Sequence, residues 1–149
     1  MKLRSILLLV LVVLGFSCGK DDGGTPDLPF LSAKADGVVK DCNVIRVTLV
    51  GGTLVINANN TAGDVVIVLN INNYTSGQIG TFNIGQGNFS SASYREGSTS
   101  YSAGTTAGSG RIQITNSNTT SIQGSFEFTG VNVTGASKTI TEGRFSAYY

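Results

Sequence analysis

The chain contains no histidine and no tryptophan, and only two of its 149 residues are cysteines. Without histidine it can form no Ser-His-Asp or Cys-His pair, no imidazole acid or base and no histidine-ligated metal site. Two cysteines are also too few for a cysteine-rich zinc site. These missing side chains exclude most familiar catalytic and metal centres.

Charge is scarce as well, because charged residues make up 13% of the chain and its net charge is +1. Removal of an export signal over residues 1–17 would take away Lys2 and Arg4, leaving 8 basic and 9 acidic side chains. Binding to nucleic acid needs a basic stripe that displaces counterions from phosphates. We therefore expect no nucleic-acid partner and no polybasic membrane patch.

The abundant residue types point to one fold class. Glycine accounts for 20 residues, and short hydroxyl and amide side chains, which suit strands and turns, fill most polar positions. From Phe30 onward apolar residues alternate with period two, interrupted by Gly or Asn clusters at intervals of about 8 to 12 residues, as in all-β domains. The sequence predicts an all-β domain over residues 30–149, an antiparallel meander of about 8–10 short strands forming a sandwich or a flattened barrel.

Residues 1–17 have the three parts of a bacterial export signal. Lys2 and Arg4 give a charged start, and an apolar run follows from Ile6 to Phe16. This run is shorter than the ~20 residues that a membrane-spanning helix needs. The segment Leu14-Gly15-Phe16-Ser17-Cys18 resembles a lipobox, although Phe16 is bulkier than the usual residue there. The resemblance implies cleavage before Cys18 and attachment of acyl chains to its thiol.

Residues 18–29 follow as the lipidated cysteine and a polar, flexible tether. Within the tether, Lys20-Asp21-Asp22 resembles the lysine-acid-acid triplet that directs Bacteroidetes lipoproteins to the outer face of the outer membrane. A charged spacer without an address is the alternative. We expect a chain that Cys18 anchors to the outer membrane, facing the cell exterior.

The clearest local prediction is a hairpin whose loop is Gly51-Gly52, since two glycines tolerate the positive φ angles of a type I′ turn. Its register places three apolar pairs on one face: Leu49–Leu54, Val47–Ile56 and Ile45–Ala58. Asp36-Gly37 is a second predicted turn. In the last strand, Ile140 and Phe145 cannot share one face of a regular strand, so we expect a bulge near Gly143.

Three segments together resemble a family of uncharacterised Bacteroidetes lipoproteins. They are Phe30-Leu31-Ser32-Ala33-Lys34-Ala35-Asp36-Gly37, the Gly-rich middle hairpins, and Ile140-Thr141-Glu142-Gly143-Arg144-Phe145-Ser146. The resemblance covers nearly all of the chain after the export signal. It rests on degenerate motifs that reflect the fold. It implies an all-β domain of unknown function and carries over no catalytic residue.

The remaining candidates for chemistry are few. Cys42 has two interpretations: a buried thiol beside a strand, or a reactive or intermolecularly paired cysteine. Asn59, Asn60 and Asp64 offer oxygens to a calcium ion, but their spacing fits no EF-hand and favours a turn. The carboxylates lie mainly in the tether, at turns or on an outward face. We therefore expect no enzyme, no metal and no cofactor.

Binding is the more plausible activity. We expect Tyr94 and Tyr101 to point outward and, with Arg95, to form a partner-binding loop, because Tyr and Arg are favoured at recognition surfaces. The alternative is that both tyrosines cap the rim of the core. The first hypothesis is a non-catalytic, surface-displayed module of the cell envelope with a binding or structural role, acting on a glycan, a peptide or a partner protein.

Two other hypotheses remain. One is a lipocalin-like barrel that holds a small apolar ligand in an interior void, which would need small lining residues. The other is an enzyme, which would need two carboxylates in one cleft. Large inward side chains favour the first hypothesis of surface binding.

Overall fold

The computed structural model describes residues 29–149, and all the regular structure in this part is β-strand. The all-β prediction is confirmed, with more strands than the predicted eight to ten. Eleven strands are present: β1 (Phe30–Ala35), β2 (Val38–Cys42), β3 (Val44–Val50), β4 (Thr53–Asn59), β5 (Val65–Ile71), β6 (Gly80–Ile84), β7 (Ser91–Glu96), β8 (Thr99–Ala103), β9 (Ser109–Ser117), β10 (Ser121–Val131) and β11 (Ser137–Tyr148).

The strands pair antiparallel along a path that returns to its starting point. The order is β2-β1-β11-β10-β8-β7-β5-β4-β3, and only Asn43 separates the two end strands, β2 and β3, in the chain. The backbone therefore joins the ends of the path, and the sheet curls into a nearly closed barrel. Strand β3 also lies close to β11 and β1. Of the two predicted architectures, the barrel is the one observed.

Strand β6 departs from a simple meander. It lies between β5 and β7 in the chain but pairs with β9, which in turn pairs with β10. Strand β10 is therefore shared: most of it pairs with β9, while Val131 near its end pairs with Ser102 of β8. The barrel wall branches at this point.

The predicted hairpin is confirmed in detail. Strands β3 and β4 pair from Val50↔Thr53 to Val44↔Asn59, including all three predicted apolar pairs. Gly51 and Gly52 have φ angles of 58° and 78°, in the left-handed region that the turn requires. The predicted Asp36-Gly37 turn likewise connects β1 to β2.

Large apolar side chains fill the interior of the barrel. The largest fully buried residues are Tyr94, Phe145, Leu31, Leu54, Ile56, Ile67, Leu69, Ile71, Ile112, Ile114, Ile122 and Ile140. A barrel that holds a ligand needs a void of several hundred Å³ instead. The filled core favours the hypothesis of surface binding over that of an apolar ligand inside.

Strand β11 contains the predicted bulge. Two of its residues, Thr141 and Glu142, lie opposite a single residue of β10, and Glu142 has a φ angle of 52°. The extra residue resets the inward–outward alternation, so that Ile140 and Phe145 are both buried. The strained residue is one position before Gly143.

Three inward glycines lie opposite three phenylalanines on neighbouring strands: Gly110–Phe128, Gly124–Phe145 and Gly143–Phe126. A Cβ atom at Gly143 would be 2.7 Å from two carbons of the Phe126 ring, and one at Gly124 would be 2.6 Å from the Phe145 ring. The Phe126 ring centre is 6.4 Å from that of Phe128 and 6.4 Å from that of Phe145. The rings of Phe126 and Phe145 occupy space that Gly143 and Gly124 leave free, while a Cβ at Gly110 would lie 2.5 Å from the Phe128 Cβ. These close approaches allow β9, β10 and β11 to coil closely around the core.

We expect Gly143→Ala to lower the free energy of unfolding by about 1–3 kcal/mol, the usual cost of overpacking a core. The added methyl group would overlap the Phe126 ring and its carbonyl oxygen. Gly104→Ala is the matched control, because its Cβ would meet only Ser91 Cβ, at 3.4 Å. Urea unfolding measures both variants, and equal losses of stability would contradict the proposed packing.

Candidate functional site

The predicted partner-binding loop is a tight turn between two paired strands. Strands β7 and β8 meet at Gly97 and Ser98, with Tyr94 directly opposite Tyr101. Tyr94 is fully buried and Tyr101 is half-buried, so the prediction of an outward Tyr94 is wrong. The reason is strand alternation: Tyr94 pairs with the inward Ile67 of β5.

Arg95 has a structural role in the same turn. Its guanidinium donates hydrogen bonds to the Gly97 carbonyl (2.7 Å) and the Gly63 carbonyl (3.1 Å). These bonds tie the β7–β8 turn to the loop before β5. The Lys138 ammonium lies over the Tyr101 ring, 5.5 Å from the centre of that ring. Arg95 and Tyr101 therefore both interact with other residues of the domain.

A charged network covers this end of the barrel. Lys40 of β2 donates to Glu96 of β7 at 2.5 Å, and Lys138 of β11 lies 3.2 Å from Asp36 and 3.9 Å from Glu96. The hydrogen bond from Lys40 is the main reason that the pKa of Glu96 is lowered. The network fastens the end strand β2 across the barrel to β7.

Tyr94 extends beneath this network. Its hydroxyl is buried and makes no hydrogen bond of acceptable geometry within residues 29–149. The Glu96 carboxylate is nevertheless near enough to affect it: burial first, and then Glu96, raises the pKa of Tyr94. The hydroxyl therefore stays protonated at physiological pH, which suits neither a nucleophile nor a general base.

Cys42 ends β2 with its thiol in the core. The residue is 2% exposed and is a free cysteine. Burial, followed by the charge of Asp41, raises the pKa of this thiol to about 11. The buried-thiol interpretation is confirmed, and a thiol that remains protonated at neutral pH is a poor nucleophile.

The calcium candidate is a turn, as the spacing favours. The Asn60 amide donates to the Asp64 carboxylate at 2.5 Å, and the Asn60 side-chain oxygen accepts from the Val65 backbone at 3.2 Å. Within the part of the chain that the structure describes, no three His, Cys, Asp or Glu residues are grouped so that they could hold a metal ion.

An open groove of about 760 Å³ lies on the outer face of β5, β7 and β8. We call it the neutral groove, because no charged residue is among those that line it in the described part of the chain. Its floor is formed by Asn70, Ser91, Ser93, Ser100 and Ser102, and its walls by Phe89, residues 103–107 and residues 131–133.

Strand alternation creates the floor of the neutral groove. Ser91 and Ser93 alternate with inward residues on β7, and Ser93 lies opposite Ser102 on β8. Asn70 donates to the Ser91 hydroxyl at 3.2 Å. Phe89 stands at the rim, 72% exposed, with its carbonyl held by the Asn72 amide at 2.5 Å. Alternating serines and inward apolar residues in β7 and β8 were the sequence signal for this surface.

A second groove, of about 290 Å³, lies on the outer face of β9, β10 and β11. We call it the Arg144 groove. It is lined by Arg111, Gln113, Ser125, Phe126, Glu127, Glu142, Gly143 and Arg144. Polar and charged side chains predominate here, in contrast to the uncharged lining of the neutral groove.

The anchor prediction concerns residues outside the described range. Cys18, the tether motif Lys20-Asp21-Asp22 and the export signal all precede Pro29. Within residues 29–149, no helix has the length and apolar character needed to cross a membrane.

We expect Glu96→Gln to destabilise the domain near neutral pH but not in acid. A carboxyl whose pKa is lowered by folding stabilises the native state above its unfolded pKa, and that contribution is lost as the pH falls through its folded pKa. The loss is at most about 1 kcal/mol, because the side chain is 40% exposed and solvent screens the pair. Thermal unfolding at about pH 7 and about pH 2 measures it. A similar loss at both pH values would refute the role of the charge, and Glu127→Gln is the control for an exposed ion pair.

We expect the Cys42 thiol to resist alkylation in the native protein at about pH 8, where a thiol with a pKa near 11 is almost entirely protonated. In denaturant, labelling with iodoacetamide should become rapid. Mass spectrometry follows the modification, and rapid stoichiometric labelling of the folded protein would contradict the buried placement.

The comparisons with known proteins bear on the whole domain. Residues 27–147 match the model of a family described as Domain of unknown function (DUF6252). The searches of curated proteins and of solved structures found no match. The predicted domain of unknown function is thus confirmed, while its assignment to Bacteroidetes lipoproteins stays a prediction. Because this match covers residues 27–147, the chain belongs to the DUF6252 family of domains of unknown function.

Proposed function

We propose that the chain is a lipid-anchored, non-catalytic binding module of the cell envelope, whose neutral groove takes an uncharged, hydroxyl-rich ligand of carbohydrate type. The export signal and lipobox-like segment ending at Cys18 support the anchor. The lysine-acid-acid triplet after it supports the outer face of the outer membrane as the location.

The neutral groove is the observation that carries the binding proposal. Its volume of about 760 Å³ lies within the usual range for ligand sites. The floor offers hydroxyl and amide groups, which both donate and accept hydrogen bonds, as sugar hydroxyls do. Ser93, Ser100 and Ser102 have no side-chain partner among residues 29–149 and are free to bond a ligand.

The rim adds an apolar face. Phe89 is 72% exposed, and the fully exposed Val133 lines the same groove. An aromatic ring at the edge of a polar groove can stack on the apolar face of a sugar ring while the hydroxyls reach the floor. The absence of charge from the described lining favours a neutral ligand over an acidic or basic one.

Five of the six acidic side chains in residues 29–149 are engaged elsewhere, and the sixth, Asp41, lies outside the neutral groove, which supports a non-catalytic role. Glu96 pairs with Lys40, Glu142 with Lys34 at 2.8 Å, and Glu127 with Arg111 at 3.1 Å. Asp36 and Asp64 are likewise bonded, to Lys138 and Asn60. A glycoside hydrolase needs two carboxyls facing each other across the bound sugar. The neutral groove has none among its described lining residues.

The binding proposal is tested by NMR titration with a panel of neutral trisaccharides built from glucose, galactose or N-acetylglucosamine. We expect at least one to shift the amide resonances of the groove floor. Ser93→Asp should weaken that binding by about tenfold or more, because it places an uncompensated charge under the ligand.

Thr48→Asp is the control, since it adds the same charge on the exposed outer face of β3. Phe89→Ala should also weaken binding. No response of the floor to any trisaccharide, or equal binding by Ser93→Asp and Thr48→Asp, would contradict the proposed site.

The anchor is tested separately by growing cells with labelled palmitate. We expect the label on the wild-type chain and none on Cys18→Ala, which should also remain unprocessed. Persistent labelling of the variant would overturn the lipid anchor while leaving the groove proposal intact.

A further inference from the structure

We infer that the Arg144 groove is a second binding site, separate from the neutral groove, and that it takes a monoanionic carboxylate. The inference does not rest on the proposed function, because it uses the opposite branch of the barrel wall and a different chemistry. It arises from a row of polar side chains that the fold leaves without partners.

The row crosses three adjacent strands. Gln113 of β9 lies opposite Ser125 of β10, which lies opposite Arg144 of β11. With neighbouring strands about 4.8 Å apart, the row spans about 10 Å. All three residues line the groove. Among residues 29–149, none of these three side chains makes a hydrogen bond or an ion pair.

Of the charged residues that line this groove, one cation has no acidic partner among residues 29–149. The acids of the groove are already neutralised, since Glu142 pairs with Lys34 at 2.8 Å and Glu127 with Arg111 at 3.1 Å. Of the two arginines that line the groove, Arg144 is the one without an acidic partner among residues 29–149. The four charged residues of the lining sum to zero, and Lys34, which pairs with Glu142 from outside the lining, brings the net charge to +1, with the unpaired charge on the Arg144 guanidinium.

The bulge of β11 shapes the groove. Glu142 takes the strained φ angle of 52°, and Gly143 next to it brings no side chain over the Phe126 ring. The groove beside Arg144 has a volume of about 290 Å³. This is near the lower limit of ligand sites and fits a group the size of one sugar ring or one terminal amino acid.

The chemistry selects a carboxylate among the anions. The planar guanidinium of arginine matches a carboxylate with two parallel hydrogen bonds. Gln113 and Ser125 supply further donors along the row. A phosphate dianion carries two negative charges, whereas the groove offers one cation without an acidic partner, so a single negative charge is favoured.

Two sources offer this group: an acidic sugar and a peptide C-terminus. The test uses sodium glucuronate and N-acetyl-diglycine as probes in an NMR titration of the full protein at fixed ionic strength. Glucose and N-acetyl-diglycine amide are the uncharged counterparts. We expect at least one carboxylate to shift the amides of Ser125, Gly143 and Arg144, with little response to its uncharged counterpart.

The variants distinguish a specific binding site from nonspecific electrostatic attraction of anions. Arg144→Gln should weaken binding by about tenfold or more, because a hydrogen-bonded charge is lost. Arg144→Lys should weaken it less, since it keeps the charge but not the planar fork. Arg46→Gln is the control, because Arg46 is an exposed cation on β3 outside both grooves.

Three results would overturn the inference: no response to either carboxylate, equal weakening by Arg144→Gln and Arg46→Gln, or an equal response to sodium sulfate. The proposed function would survive all three, because its probes are neutral and its variants lie in the neutral groove.

Discussion

The packing of three phenylalanines against three glycines is the constraint on which the rest of the domain depends. Phe126, Phe128 and Phe145 each lie opposite a glycine that has no side chain to offer. Strands β9, β10 and β11 can then coil closely, and their rings fill the barrel. Adding a Cβ to any of the three glycines would place it within 3 Å of the opposite phenylalanine.

Because the interior is filled, both proposed binding sites lie on the outer face of the barrel. The floor of the neutral groove is the outward side of strands whose inward side holds Ala92 and Tyr94 in the core. The Arg144 groove is the outward side of β9, β10 and β11, beside the bulge that lets Ile140 and Phe145 both enter the core. The alternation of inward and outward residues along the same strands thus produces both the core and the two grooves.

Much of the fold follows from short-range rules in the sequence. Gly51-Gly52 fixes the loop of one hairpin, and its register sets three apolar pairs on one face. The phase change between Ile140 and Phe145 indicates a bulge, since a regular strand cannot bury both. The path of β6 to β9 could not be predicted, because a choice between distant strands depends on packing rather than on local pattern.

The candidate site was harder to predict, because aromatic residues suit both cores and surfaces. Tyr94 was expected at a recognition loop, yet its place between the outward Ser93 and Arg95 assigns it to the core. The same alternation would have identified the neutral groove. The Arg144 groove could not be predicted from strand alternation alone. Whether Arg144 has an acidic partner depends on how Arg111 and Lys34 pair with acids on other strands. Pairing of that kind is set by the register of the folded sheet.

The most direct test of the central constraint is the environment of the glycine α-protons. If the Phe126 ring covers Gly143, NMR should show upfield-shifted α-protons for Gly143 and nuclear Overhauser contacts with the ring protons of Phe126. Random-coil shifts at Gly143 without such contacts would contradict the packing from which the barrel and both grooves follow.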